Sequence, residues 1–183
     1  MIITVGGSIG SGKSTLARML AEKCGFKYLS VGGIMRSMAK ERGISLLDMG
    51  RLAETDSSID KELDKRQKEL CAGSCDAGCV MDSRLGAYLL DADFKIWLDA
   101  SPDVQAKRIA GRDKLSPAEA REQIAKRRAS ERVRYKGIYG IDLEDLSVYD
   151  LVLDTTRLTK EQMLEECVKA IKARAPDICR TAC

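Results

Sequence analysis

The chain has 183 residues, a length that suits one globular domain, and its 44% hydrophobic and 32% charged content is that of an ordinary folded protein. Lys and Arg number 31 against 28 Asp and Glu, and the resulting charge of +3 is too small to mark a nucleic-acid or membrane surface. Aromatic residues are only 4%, which argues against a stacking platform for single strands. No run approaches the ~20 apolar residues of a membrane span, and the first residues enter a strand-like run with no charged-then-apolar leader. A cytoplasmic monomer is the expectation.

Two absences narrow the chemistry. Without His, no imidazole is available as general base, triad member or metal ligand. Without Asn, glycosylation sequons and the Asn-Lys-x-Asp guanine-reading motif are excluded. Arg, Lys, carboxylates, hydroxyls, thiols and backbone amides must do the work. The seven cysteines include Cys71, Cys75 and Cys79, which recur every four residues. That spacing lacks the two-residue pairs of a zinc site, so a metal role is not expected and free thiols are. Cys79 opens an apolar run and is expected to pack as a small hydrophobe.

In chain order, Ile2-Ile3-Thr4-Val5 is a β-branched strand run ended by Gly6-Gly7. From Lys13 to Cys24 the apolar positions share one helical face, with Gly25 as the stop. Residues 26–29 read as a second strand. Helices follow over about 33–42, 46–56 and 58–71, with Ser45 paired to Asp48 and Ser57 to Asp60 as start signals. A third strand over 79–82 precedes a short helix from about Arg84, and 94–98 forms a fourth. Ser101-Pro102 and Ser116-Pro117 each open a helix, the second long, basic and running to about Tyr139. Asp150 to Asp154 is the last strand, Thr159 caps a final helix, and residues 176–183 form a tail. Strands alternating with helices predict an α/β fold: a five-stranded parallel sheet covered on both faces, with ligands at the strands' carboxyl ends.

Gly7-Ser8-Ile9-Gly10-Ser11-Gly12-Lys13-Ser14, followed by Thr15, matches the whole G-x-x-x-x-G-K-[ST] pattern between a strand and a helix. The glycines let the backbone curl its amides towards phosphate oxygens, and the helix N-terminus adds positive potential. Lys13 is placed to bridge the β- and γ-phosphates of ATP, and Ser14 to offer its hydroxyl to Mg²⁺. Asp82, ending the third strand, is the second anchor for that metal. Arg36 after the second strand and Arg84 after the third would open onto the same crevice, which suits an acceptor already carrying a phosphate. Arg108 and Arg112 stand one helical turn apart, and Arg127, Glu131 and Arg134 share one face of the long helix.

With these residues assembled, the chain resembles the P-loop nucleoside monophosphate kinases, and among them the archaeal-type cytidylate kinases. The resemblance is carried by Gly7 to Ser14, by Leu29-Ser30-Val31-Gly32 with Arg36, and by Asp82-Ser83-Arg84-Leu85. It continues through Lys95 to Ser101, Ser130 to Tyr135, Ile138 to Asp142 and Tyr149 to Thr155. It implies a core of residues 1–29, 79–111 and 129–175, an acceptor-binding insertion of about 30–78 and a short lid of about 112–128. Arg36 and Arg84 would grip the phosphate of CMP or dCMP, and Arg108, Arg112, Arg127 and Arg134 would close over the transferring group. Arg157 would lie near adenine, and Ser30, Asp99 and Glu131 are candidates for contact with CMP. Cys71, Cys75 and Cys79 fall outside the family pattern. A kinase for AMP, UMP or dephospho-CoA, and a regulatory P-loop ATPase, remain as alternatives.

Overall fold

The computed structural model describes residues 1–74 and 78–176. Cys75 and the expected tail beyond residue 176 lie outside the described residues. Five strands, β1 (Ile2–Gly7), β2 (Lys27–Ser30), β3 (Cys79–Asp82), β4 (Phe94–Asp99) and β5 (Leu151–Asp154), form one sheet in the order β2-β3-β1-β4-β5. All four pairings are parallel, as expected from strands alternating with helices.

Helices cover both faces. Ile3 and Val5 of β1 point to α1 (Lys13–Cys24) and α8 (Lys160–Arg174), where they join Leu16, Leu20, Ile96, Leu98, Met163 and Ile171 in the main core. Burying each such side chain contributes about 1.5–3 kcal/mol. The opposite face carries Thr4 and Gly6, against which α5 (Gly86–Leu89), Trp97 and Tyr149 pack. Between β2 and β3, α2 (Val31–Glu41), α3 (Leu46–Thr55) and α4 (Ser57–Ala72) build a separate apolar cluster around Met38, Met49 and Ile59. Arg66 of α4 ties this unit to α2 through two bonds to Glu41, at 2.8 and 2.7 Å.

Past β4, α6 (Pro102–Asp113) and α7 (Pro117–Tyr139) form a hairpin around Lys114, whose φ of 56° makes the reversal. α7 begins with the expected Ser116 cap, which accepts from the Glu119 amide, and the Glu119 carboxylate accepts in turn from the Ser116 amide to complete a capping box. It runs unbroken across the boundary at 128 that the sequence places between lid and core.

Two start signals differ from expectation. The N-cap of α4 is Asp56, which accepts from the Ser58 amide at 2.8 Å; Ser57 is already helical, and Asp60 serves a contact with α7 instead. Ser101 precedes Pro102 of α6 but makes no side-chain capping bond. The cysteines differ among themselves. Cys24, at the end of α1, is disulfide-bonded, against the free-thiol expectation. Cys79 is fully buried as a small hydrophobe, with its Sγ 3.5 Å from that of Cys71.

The turn between β1 and α1 rests on the carboxyl end of β4. The Ser8 amide donates to the Leu98 carbonyl at 2.9 Å, and a Cβ on Gly7 would sit 2.2 Å from that same oxygen, at a φ of +145°. Gly7→Ala is therefore expected to lower stability by about 2 kcal/mol or more, because neither β4 nor the turn can move without breaking the sheet. Thermal melts of the two proteins check this; an unchanged melting temperature would contradict the close approach.

Candidate active site

Gly12 caps α1 from the left-handed region with no side chain of its own, so no capping side chain competes with an anion for the Lys13 and Ser14 amides, while the Thr15 amide donates to the Gly12 carbonyl at 3.1 Å. The Lys13 ammonium lies back over the turn, donating to the carbonyls of Gly7 at 2.9 Å and Ser8 at 2.7 Å. Ser11 is internal scaffolding, its hydroxyl bonded to the Ser8 carbonyl at 2.8 Å, and Ile9 is buried against Ala106 and Ile109 of α6. Thr15 follows, partly buried, in the first turn of α1.

Ser14 and Asp82 meet as expected: the Ser14 hydroxyl donates to Asp82 Oδ2 at 2.5 Å. The Tyr28 hydroxyl donates to the same oxygen at 3.2 Å, a contact the sequence did not reveal. A hydroxyl and a carboxylate touching beside a phosphate cradle are hard oxygen donors, and they fit Mg²⁺ with its water shell and phosphate ligands. Among the described residues no cluster of three or more Cys, Asp or Glu is arranged to hold a metal by protein ligands alone.

Between the end of β3 and α7, Arg84 Nε lies 3.0 Å from Glu131 Oε2, and Arg127 lies 3.6 Å from the other oxygen of that carboxylate. Glu131 Oε2 is buried with no hydrogen-bond donor in line, so the pair is held by charge alone. Arg134 forks onto Asp60 of α4 with bonds of 3.1 and 2.7 Å. These groups and the P-loop lysine share one field. Burial pushes the Lys13 ammonium down to about 7; Arg84 and Arg127 add to the shift, while Asp82 and Glu131 oppose it. Arg36 is exposed on α2 with no ion pair among the described residues, and Ser30 is the N-cap of α2, accepting from the Gly33 amide at 3.0 Å.

On the other side of the P-loop, Arg108 donates to the Gly10 carbonyl at 3.2 Å, to Thr155 Oγ1 at 3.0 Å and to the Thr155 carbonyl at 2.9 Å. Burial lowers its pKa, against the opposing charge of Asp154. Thr155 Oγ1 also bonds the Ser11 and Asp99 carbonyls, so β4, β5 and the cradle are locked together. Arg112 pairs with its neighbour Asp113 at the end of α6, and Arg157 is exposed beyond β5.

Asp99 is not brought to the side of the sheet that holds Arg84, Ser30 and Arg36. β4 lies across β1 from β2 and β3, and the Asp99 carboxylate bonds its own following amide and approaches Gln105 at 3.4 Å. Sequence reasoning also missed Asp60, Asp64, Gln67 and Tyr139, which line the seam between α4 and α7. Their signal was available: Asp60, Asp64 and Gln67 are polar residues at helical spacing on the face of α4 that buries Ile59 and Leu63.

Residues 2–157 match the model of the cytidylate kinase-like family. The cytidylate kinase of Natronomonas pharaonis is 42% identical over 179 residues, covering 97% of this chain and 92% of its own. That of Pyrococcus abyssi is 46% identical over 162 residues, 88% of each. Among solved structures, an uncharacterized protein from Eubacterium ventriosum superposes with a TM-score of 0.71 at 18% identity, over 94% of this chain and 99% of that one. Shikimate kinase from Acinetobacter baumannii, in complex with shikimate, superposes at 0.56 and 17% identity, over 95% and 94%. The two structural likenesses speak for the fold alone. The sequence matches go further: with the P-loop, the Ser14–Asp82 contact and the arginine-lined cleft in one chain, it belongs to the cytidylate kinase-like family.

Proposed function

We propose that this chain is a cytidylate kinase, transferring the γ-phosphoryl group of ATP to CMP, and to dCMP, with Mg²⁺. The observation that carries this reading is the P-loop with its Ser14–Asp82 contact standing beside the Arg84–Glu131–Arg127 pairing, a triphosphate cradle against a basic cleft. Relatives over 40% identical across most of their length bear the cytidylate kinase name.

The reaction needs no strong base. The nucleophile is a phosphate oxygen of CMP, ionised at pH 7; it forms the new bond to the γ-phosphorus as the bridging oxygen of ADP leaves. Catalysis then rests on alignment and on stabilising charge at a loose transition state. Lys13 leaves its two backbone carbonyls for the β- and γ-oxygens, and the first-turn amides of α1 hold the β-phosphate. Ser14 and Asp82 would hold Mg²⁺, which supplies further neutralisation of the polyphosphate. Arg36 and Arg84 take the acceptor phosphate. The buried acceptor Glu131 Oε2 is matched by a ribose hydroxyl, a donor that water cannot supply once the cleft is shut. Arg108, Arg112 and Arg127 approach the transferring group as the α6–α7 hairpin folds down, and the same motion excludes water and so suppresses hydrolysis. Arg157 borders the adenine side.

Lys13→Ala is expected to cost about 3–4 kcal/mol of transition-state stabilisation, a loss of roughly 10²–10³-fold in kcat, with the fold intact by circular dichroism. A near wild-type rate would mean that the loop does not serve phosphoryl transfer.

The two arginine sets should separate kinetically. Arg36→Ala should raise KM for CMP about tenfold or more while KM for ATP stays within about twofold, since one charge-assisted contact to the acceptor is lost. Arg127→Ala should lower kcat instead, because its partner develops charge only during transfer. Initial rates with each substrate varied in turn decide this, and equal effects from both variants would remove the distinction.

Specificity constants for CMP, dCMP, UMP and AMP under one set of conditions test the acceptor. CMP should lead UMP and AMP by about tenfold to several hundredfold, with dCMP accepted. Parity of UMP or AMP with CMP would defeat the cytidylate assignment and leave a nucleotide kinase. ADP release independent of any acceptor would defeat both.

A further inference from the structure

The face that α4 turns towards α7 and the end of β3 carries Asp60, Asp64 and Gln67, spaced i, i+4 and i+7 on the side that also buries Ile59 and Leu63. A polar row on an inward helix face is costly unless it is satisfied or has work to do. Asp60 is answered by the fork of Arg134. Gln67, 1% exposed, accepts from the Ser83 hydroxyl at 3.0 Å and donates to Asp64 Oδ1 at 2.9 Å. The Tyr139 hydroxyl donates to Asp64 Oδ2. Every donor in this chain therefore points one way, from Ser83 through Gln67 to Asp64 and from Tyr139 to Asp64.

Asp64 is the terminus of that arrangement. It is half-buried and has no ion pair among the described residues, Lys68 acting on it only through its field. Each oxygen holds one donor, and a carboxylate has about four lone-pair positions, so two remain. The two fixed donors set the plane of the group, which leaves a rigid surface that only accepts hydrogen bonds.

Its distance from the phosphate end is suited to a base. On the reading above Arg84 marks the phosphate end of the acceptor, and it lies 3.0 Å from Glu131 of α7. From Glu131 to Tyr139 α7 advances about 12 Å, the reach of a nucleotide from phosphate to the far edge of its base. We propose that Asp64, held by Tyr139 and Gln67, reads the exocyclic amine of the acceptor base and makes the site selective for an aminopyrimidine. A uracil in the same place turns its carbonyl towards the carboxylate, an acceptor against an acceptor. Tyr139, Gln67 and Ser83 are positioning residues. The inference rests on the cytidylate kinase reading above.

The test is Asp64→Asn, which keeps the shape and replaces one acceptor oxygen with a donating amide. The specificity constant for CMP should fall about tenfold to several hundredfold while that for UMP holds or rises. KM for ATP and the melting temperature should stay close to wild type. Tyr139→Phe should erode the CMP-to-UMP ratio in the same direction, by about threefold or more. A folded Asp64→Asn enzyme that loses rate equally on CMP and UMP, or keeps the wild-type ratio, overturns the proposal. If that variant does not fold, Tyr139→Phe decides: an unchanged ratio overturns it. Wild-type enzyme in the same assay separates the two readings. No turnover of CMP there defeats the cytidylate kinase reading, whereas normal turnover with an unmoved ratio in the variants defeats only the role of Asp64.

Discussion

Gly7 has no side chain because the Leu98 carbonyl fills the space, and from that close approach much of the site follows. The turn after β1 is pinned to the end of β4, so the cradle amides and the start of α1 are held by the sheet rather than by a loop's own preferences. Thr155 completes the fastening, its one hydroxyl bridging the Ser11 and Asp99 carbonyls while Arg108 spans from Gly10 to Thr155. A phosphate site made of backbone amides works only if those amides are already aimed, since reorganising them would consume the binding energy they supply.

The cleft between β3, α4 and α7 is organised on the opposite principle. Its arginines are not held by carbonyls but by carboxylates, Arg84 by Glu131 and Arg134 by Asp60. Such pairs keep guanidinium groups extended and oriented in a partly buried cleft, where an unpaired charge would be expensive. A phosphate binding there, as proposed, would exchange one anion for another, so the net charge of the cleft need not change sign. Arg36, exposed and without an ion pair among the described residues, is the exception.

Much of this was legible in the chain. Local signals with a single physical cause read well. The P-loop glycines, the Gly25 stop, the Ser116 and Thr159 capping boxes and the β-branched runs each act within a few residues. Readings that need strand order fared worse. Asp99 looks like a site residue because it ends a strand, but only the order β2-β3-β1-β4-β5 reveals that its strand lies on the far side of the P-loop from the insertion. Asp60 reads as a helix-start signal from its spacing to Ser57, and a distant arginine on α7 claims it instead. The Asp64–Tyr139 contact joins residues 75 apart, and no local pattern announces such a pairing.

The continuity of α7 has a mechanical meaning. The helix passes without a break from the hairpin at Lys114, past Arg127 and Glu131, to Tyr139. A rod of 23 residues is about 35 Å long and resists bending, so it moves as a lever. On the reading proposed above, the residue that meets the transferring phosphoryl group and the residue that steadies Asp64 are mounted on the same beam. A tilt that seats one end displaces the other, and a poorly fitting molecule at one end is felt at the other as misalignment. In that reading stiffness gears recognition and chemistry together, with no relay of side chains between them.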